Sequence, residues 1–126
     1  MDQAELKWQQ QLVASYRIEV LEVRSIWHAQ TNKITIRNNQ VVEYTGDCVP
    51  APAEGGKCSI EAFDPDTYTV PGLFGKARTH STEEKAKWMK ITFDSTYGYP
   101  SQISYDNPDI LDEDWSVRVT AFEVLK

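Results

Sequence analysis

Apolar side chains alternate with polar ones in six separate stretches of this chain, and a period of two buries its apolar set only in a β-strand. The stretches fall into two groups of three. Tyr16 to Trp27, Lys33 to Arg37 and Gln40 to Thr45 make the first group, and Trp88 to Asp94, Tyr99 to Tyr105 and Trp115 to Leu125 make the second. In the first strand Tyr16, Ile18 and Val20 share one side and Arg17 and Glu19 the other. The consecutive Val20 and Leu21 then predict a slip of phase, met by a β-bulge or by a strand covered on both faces. Asn38-Asn39 between Ile34/Ile36 and the next apolar run predicts a hairpin with a two-residue turn, because asparagine tolerates positive φ. In the second group Met89, Ile91 and Phe93 alternate. Tyr99, Ser101, Ile103 and Tyr105 follow in one phase, with Pro100 placing the strand's start at an edge or outside the ladder. In the last strand Trp115, Val117, Val119 and Ala121 face one way and Phe122 and Val124 the other, which predicts a second bulge near Ala121.

A helical stretch precedes each group. Asp2 to Val13 holds good helix formers with no Gly or Pro, with Asp2 as N-cap and Glu5 three residues on. Thr69 to His80 carries Thr69 as N-cap, Pro71 in the first turn, and Leu73, Phe74 and Ala77 on one side. The order predicts an α+β fold: an N-terminal helix, a mainly antiparallel curved sheet of six strands, a short second helix after the third strand, and both helices on one face. At 126 residues, with 40% apolar and 25% charged side chains, the chain is expected to be a single domain over 1–126.

Function classes narrow by charge. The formal charge of −6 disfavours a nucleic-acid partner, and no run approaches the roughly 18 apolar residues of a membrane-spanning helix. The negative charge is concentrated in two connectors. Gly46 to Thr69 holds Asp47, Glu54, Glu61, Asp64 and Asp66 against Lys57, and Asp106 to Asp114 holds five acids and no cation, so the remaining chain is +3.

The first of these connectors, 46–69, is a long irregular excursion containing Pro50, Pro52, Gly55-Gly56, Pro65 and both cysteines. Such a length is uncommon in a compact domain unless the loop is stapled or functional. A Cys48–Cys58 disulfide would stabilise it by about 2–3 kcal/mol and implies an oxidising compartment; two free thiols or, with His28 or His80, a metal site are the alternatives. The second connector, with Asp106, Asp109, Asp112 and Asp114, offers oxygen ligands for Ca²⁺ without EF-hand spacing, against the plainer reading of a solvated acidic turn. No other cofactor is indicated. His28 and His80 are general-base candidates for a hydrolase, although no GxSxG, HExxH or P-loop accompanies them and each reads equally as an exposed histidine at an element end. Trp27, Tyr97 and Tyr99 lie at strand ends, where they could line a binding groove or simply pack the core.

The segments TVPGLF (Thr69 to Phe74) and FDSTYGYPSQISYD (Phe93 to Asp106), with a Trp in the leading helix, a Tyr-Arg opening a long strand and the hairpin ITIRNNQVV, resemble the bacterial domain-of-unknown-function family 6174. Asn39 stands where such hairpins often carry Gly, a tolerable change at a positive-φ position. The resemblance implies an exported or lipid-anchored protein and assigns no catalytic residue. Locally, Asp94 is expected to close an Asx-turn, Gly98 to take positive φ, and Tyr99-Pro100 to set an extended exit. Together these features point to a non-catalytic extracytoplasmic module, periplasmic, cell-surface or secreted. It would bind a protein, a peptide or an envelope component through the face or edge of its sheet, and a lipid anchor in a longer precursor fits the same reading. A small hydrolase and a calcium-binding module are the alternatives.

Overall fold

The computed structural model describes residues 2–25, 28–48, 63–81, 88–105 and 115–125. Two helices, α1 (Asp2–Gln10) and α2 (Val70–Ser81), accompany six strands: β1 (Tyr16–Ser25), β2 (His28–Arg37), β3 (Gln40–Cys48), β4 (Met89–Phe93), β5 (Pro100–Tyr105) and β6 (Trp115–Val124). A 3-10 turn, Pro65–Tyr68, leads into α2. The strands form one antiparallel sheet in the order β3-β2-β1-β6-β5-β4, so two three-stranded meanders meet where the first strand pairs with the last. The architecture is the expected α+β fold.

One face of the sheet is covered. Tyr16, Ile18 and Val20 of β1, Ile34 and Ile36 of β2 and Val117 of β6 are buried together with Trp8 of α1 and Val70, Leu73 and Phe74 of α2. Both helices thus lie on the same side, and the apolar parity of each strand faces them. Burying Ile18, Ile34 and Leu73 without residual exposure contributes about 1.5–3 kcal/mol for each side chain.

The strand boundaries depart from expectation in ways that expose the physics. α1 stops at Gln10, not Val13, because the last turn tightens (Gln11 N–H to Trp8 O, 3.1 Å) and Leu12 enters the left-handed region at φ 53°. β1 does not slip at Val20/Leu21. Its register with β2 runs unbroken from Tyr16↔Ile36 to Val23↔Ala29, so the buried parity continues into Glu22 while Leu21 and Val23 take the other face. The bulges in the ladders of β1 lie elsewhere: between Val23 and Ser25 against β2, and in β6, where Thr120 is the extra residue between the pairs Glu19↔Ala121 and Val20↔Val119. The β6 bulge is the one expected near Ala121. β2 begins at His28 instead of Lys33, since its inward positions there are the polar Gln30 and Asn32, which hide the alternation. β3 runs on to Cys48, three residues into the stretch expected to be irregular.

The two segments that carry the family resemblance build the helix supports. Asp94 Oδ2 accepts N–H bonds from Thr96 (3.0 Å) and Tyr97 (2.7 Å), and Gly98 N–H reaches Asp94 O at 3.0 Å with φ 87°. The Asx-turn and the positive φ are as expected. α1 lies directly on this turn: Lys7 donates to Ser95 O and Gln11 Nε2 to Thr96 O (3.4 Å). A methyl group on Gly98 would overlap the Ala4 carbonyl oxygen and sit 3.0 Å from Lys7 Cβ. Pro100 opens β5 opposite Phe93, but β5 pairs with β6 only from Gln102 onward, which leaves the proline outside that ladder. At the other support, Thr69 Oγ1 caps α2 by accepting from Gly72 N–H at 3.2 Å. Gly72 itself lies against the 3-10 turn, where a Cβ would be 2.6 Å from Thr67 O.

Candidate functional site

Among the described residues, no element covers the face opposite the helices. The centre of this face is a depression of about 440 Å³ lined by Arg17, Glu19, Lys33, Ala121 and Glu123, with Ile18 and Phe122 also contributing to its wall. Strand parity explains the lining: Glu123 pairs with Arg17, Ala121 with Glu19, and Lys33 with Glu19 across the two ladders of β1. Ala121, beside the Thr120 bulge, supplies little bulk between charged neighbours. Arg17 lies 3.6 Å from Glu123, and Lys33 lies 3.9 Å from Glu19 and 3.1 Å from Asp47. With Arg17 and Glu123 56% and 66% exposed, such pairs are worth about 0–1 kcal/mol. A ligand can therefore exchange its own charges for them at little cost.

A second feature is hidden under the helices. Glu22, Gln30 and Asn32 are buried on the covered parity of β1 and β2. The hydroxyl of Tyr68, from the 3-10 turn, donates to Glu22 Oε2, and Gln30 Nε2 donates to Asn32 Oδ1 at 2.7 Å. No described buried side-chain nitrogen or oxygen lacks a partner. The row is therefore a satisfied polar seam that ties the return from β3 into α2 to the centre of the sheet. Sequence reasoning missed it, because polar residues at an inward position mimic the end of a strand. The sole trace in the sequence was Glu22 continuing the phase of Tyr16, Ile18 and Val20.

Of the aromatic candidates, Tyr97 and Tyr99 pack against other rings. Tyr99 is buried and stacks on Phe122 with ring centroids 4.6 Å apart; Tyr97 lies 5.1 Å from the same ring. Phe122 in turn contacts Tyr16 (5.4 Å) and Trp8 (5.9 Å), so these rings join α1 to the sheet. Burial pushes the Tyr16 hydroxyl up to about 12, partly opposed by the Val70 N–H that bonds its oxygen. Tyr99 is also raised to about 12, first by burial and then by the Asp94 carboxylate.

His28 opens β2 and His80 lies near the end of α2, on separate elements; their side chains lie outside the described residues. So do Trp27, Cys58, and Asp106, Asp109, Asp112 and Asp114, while of Cys48 only the backbone, at the end of β3, is described. Among the described residues no group of three His, Cys, Asp or Glu is placed to hold a metal ion, and no helix is long and apolar enough to cross a membrane.

A family model described as a family of unknown function (DUF6174) matches residues 1–124. The chain belongs to that family. The match spans both helices and all six strands, so the DUF6174 unit is the entire α+β sheet. No curated protein and no solved structure matches the chain.

Proposed function

We propose that this DUF6174 protein is a non-catalytic extracytoplasmic binding module that takes a protein or peptide partner on the uncovered face of its sheet. The observation that carries the reading is the placement of both helices on one side, which leaves a charged depression flanked by Arg17, Lys33, Glu19 and Glu123. Both signs of charge are present on a rigid strand scaffold, and their ion pairs are weak enough to be exchanged for those of a partner. That pattern suits a polypeptide surface with mixed charge better than a polyanion. The described residues of the open face include no aromatic ring on which a sugar or a base could stack.

The compartment rests on Cys48 and Cys58 with the Pro/Gly-rich segment between them, and on the exported character that the family resemblance implies. Non-reducing mass spectrometry of the protein from its own cells should show the mass of a disulfide, two hydrogens short of the dithiol. Two alkylatable thiols would remove the compartment from the proposal. For the binding face, a photo-crosslinker is placed at Ala121 in the depression or at the exposed Gln9 on α1. Adducts with envelope proteins should form from Ala121 and not from Gln9, and should vanish with Arg17→Glu/Lys33→Glu. Equal adducts from both positions, or none from Ala121, would defeat the assignment.

A further inference from the structure

The second surface of interest is an edge. β3 ends the sheet, and among the described strands it has a hydrogen-bonded neighbour, β2, on one side only. Val42 is the extra residue of a bulge between the pairs Ile36↔Val41 and Thr35↔Glu43, and bulges of this kind blunt an edge against indiscriminate pairing. Beyond it, Glu43 to Cys48 pair with Thr35 to Gln30 without interruption. That stretch of six residues is an unbroken edge long enough to template a further strand.

Its side chains are sorted by parity. Glu43, Thr45 and Asp47 point to the open face. Tyr44 points to the helix side, where it is 52% exposed and meets Phe63 edge-to-face at 5.6 Å; Phe63 meets Tyr68 in the same way at 5.6 Å. Tyr44 is therefore an apolar shelf braced from beneath by two rings instead of a freely moving side chain. On the other parity Glu43 is exposed and makes no ion pair or hydrogen bond with the described residues. Asp47 and Glu19 share the single Lys33 ammonium, at 3.1 and 3.9 Å. An incoming strand would meet surplus carboxylate at alternate positions and an aromatic shelf at the others.

We propose that the Glu43–Cys48 edge of β3 is a docking strand for an extended segment of a partner protein whose residues alternate between basic and apolar. Main-chain hydrogen bonds to β3 supply affinity, and the two parities supply selection. The basic residues face Glu43 and Asp47, and the apolar ones cover Tyr44 and Phe63. The competing occupant is a second copy of the chain, because β4 at the far edge carries the same alternation, with Lys90 on the open face and Met89 and Ile91 on the other. Joining opposite edges does not close and leads to open polymers. In addition, β4 pairs regularly only over Met89 to Thr92 before its own register shift, which favours the peptide. This surface is distinct from the central depression, so either can fail without the other.

The test uses the whole chain and two fluorescent synthetic peptides of identical composition, one alternating lysine and valine and one with the lysines and valines in separate blocks. Anisotropy should show tighter binding of the alternating peptide, and its addition should slow amide exchange across Glu43 to Cys48. Glu43→Lys, at an exposed position with no partner among the described residues, should leave the melting temperature unchanged and weaken binding at least about fivefold. Equal binding of the two peptides, unchanged β3 exchange, an unaffected Glu43→Lys variant, or no binding at all would each overturn the proposal. Concentration-dependent sedimentation of the protein alone, abolished by Lys90→Glu, would overturn it in favour of a second copy.

Discussion

Gly98→Ala separates two reasons for a glycine in the GYP turn. At φ 87° an alanine pays about 1–2 kcal/mol of backbone strain. The methyl group also meets α1: it overlaps Ala4 O and lies 3.0 Å from Lys7 Cβ and 3.2 Å from Trp8 N. These are backbone atoms or the root of a side chain, so relief requires the helix to lift. Trp8 is 9% exposed and contacts Tyr16 and Phe122, and losing all of its packing would cost about 3–5 kcal/mol. Partial lifting plus strain gives an expected loss of about 2–4 kcal/mol. For a chain of 126 residues that lowers the melting temperature by about 8–15 °C. Urea unfolding followed by far-ultraviolet dichroism and tryptophan emission measures it. Gly98→Asn provides the discriminator, since asparagine adopts positive φ readily but carries the same Cβ. The contact account requires Asn to be at least as damaging as Ala. Recovery with Asn, or a loss below about 1 kcal/mol for Ala, would refute the claim that α1 rests on this glycine.

Other perturbations probe the remaining supports. Tyr68→Phe removes the hydroxyl that donates to buried Glu22 and should cost about 1.5–3 kcal/mol by urea unfolding. The same substitution in a Glu22→Gln background should cost measurably less if the two groups are coupled. Thr69→Ala deletes the acceptor for Gly72 N–H and should cost about 1 kcal/mol, whereas Thr69→Ser should cost almost nothing. Alkali should act through Tyr16 and Tyr99. Because both folded-state values are raised to about 12, the folded protein holds these protons longer than the unfolded chain. Their contribution is complete below about pH 10 and is lost as the pH rises towards 12, on the order of 2 kcal/mol for the buried Tyr16. In a phenolate absorbance titration Tyr16 and Tyr99 should ionise late and together with unfolding. Ionisation of both near pH 10 in folded protein would contradict the burial.

What was legible in the sequence follows from the range of the interaction involved. The six strands, the Asn38-Asn39 turn, the Thr69 cap and the Asp94 turn depend on alternation or on hydrogen bonds spanning two to five residues, and a linear sequence displays these directly. Glu22, Gln30 and Asn32 are the opposite case. The two amides pair with each other, and the carboxylate accepts from Tyr68, which lies 46 residues beyond Glu22. As buried polar residues, Glu22 interrupts the apolar alternation of β1, and Gln30 and Asn32 delay that of β2. Gly98 divides between the two categories: its φ is encoded by Asp94 and the turn, while its contact with Ala4 belongs to the packing of α1.

The candidate surfaces divide along the same line. Arg17 and Glu19 are visible as the outward parity of β1, but a depression between them and Glu123 exists only because the last strand pairs with the first. The polar seam gives that pairing a further consequence. Hydrophobic cover alone would leave the chain between β3 and α2 many ways to return, since an apolar contact is non-directional. A buried carboxylate that must receive the Tyr68 hydroxyl removes most of them. Tyr68 also supports Phe63 and, through it, Tyr44 at the β3 edge. Satisfying Glu22 therefore positions the shelf on which the proposed peptide strand would dock. Tyr68→Leu, which removes both the hydroxyl and the ring, should accordingly weaken peptide binding more than Tyr68→Phe at matched folded fractions.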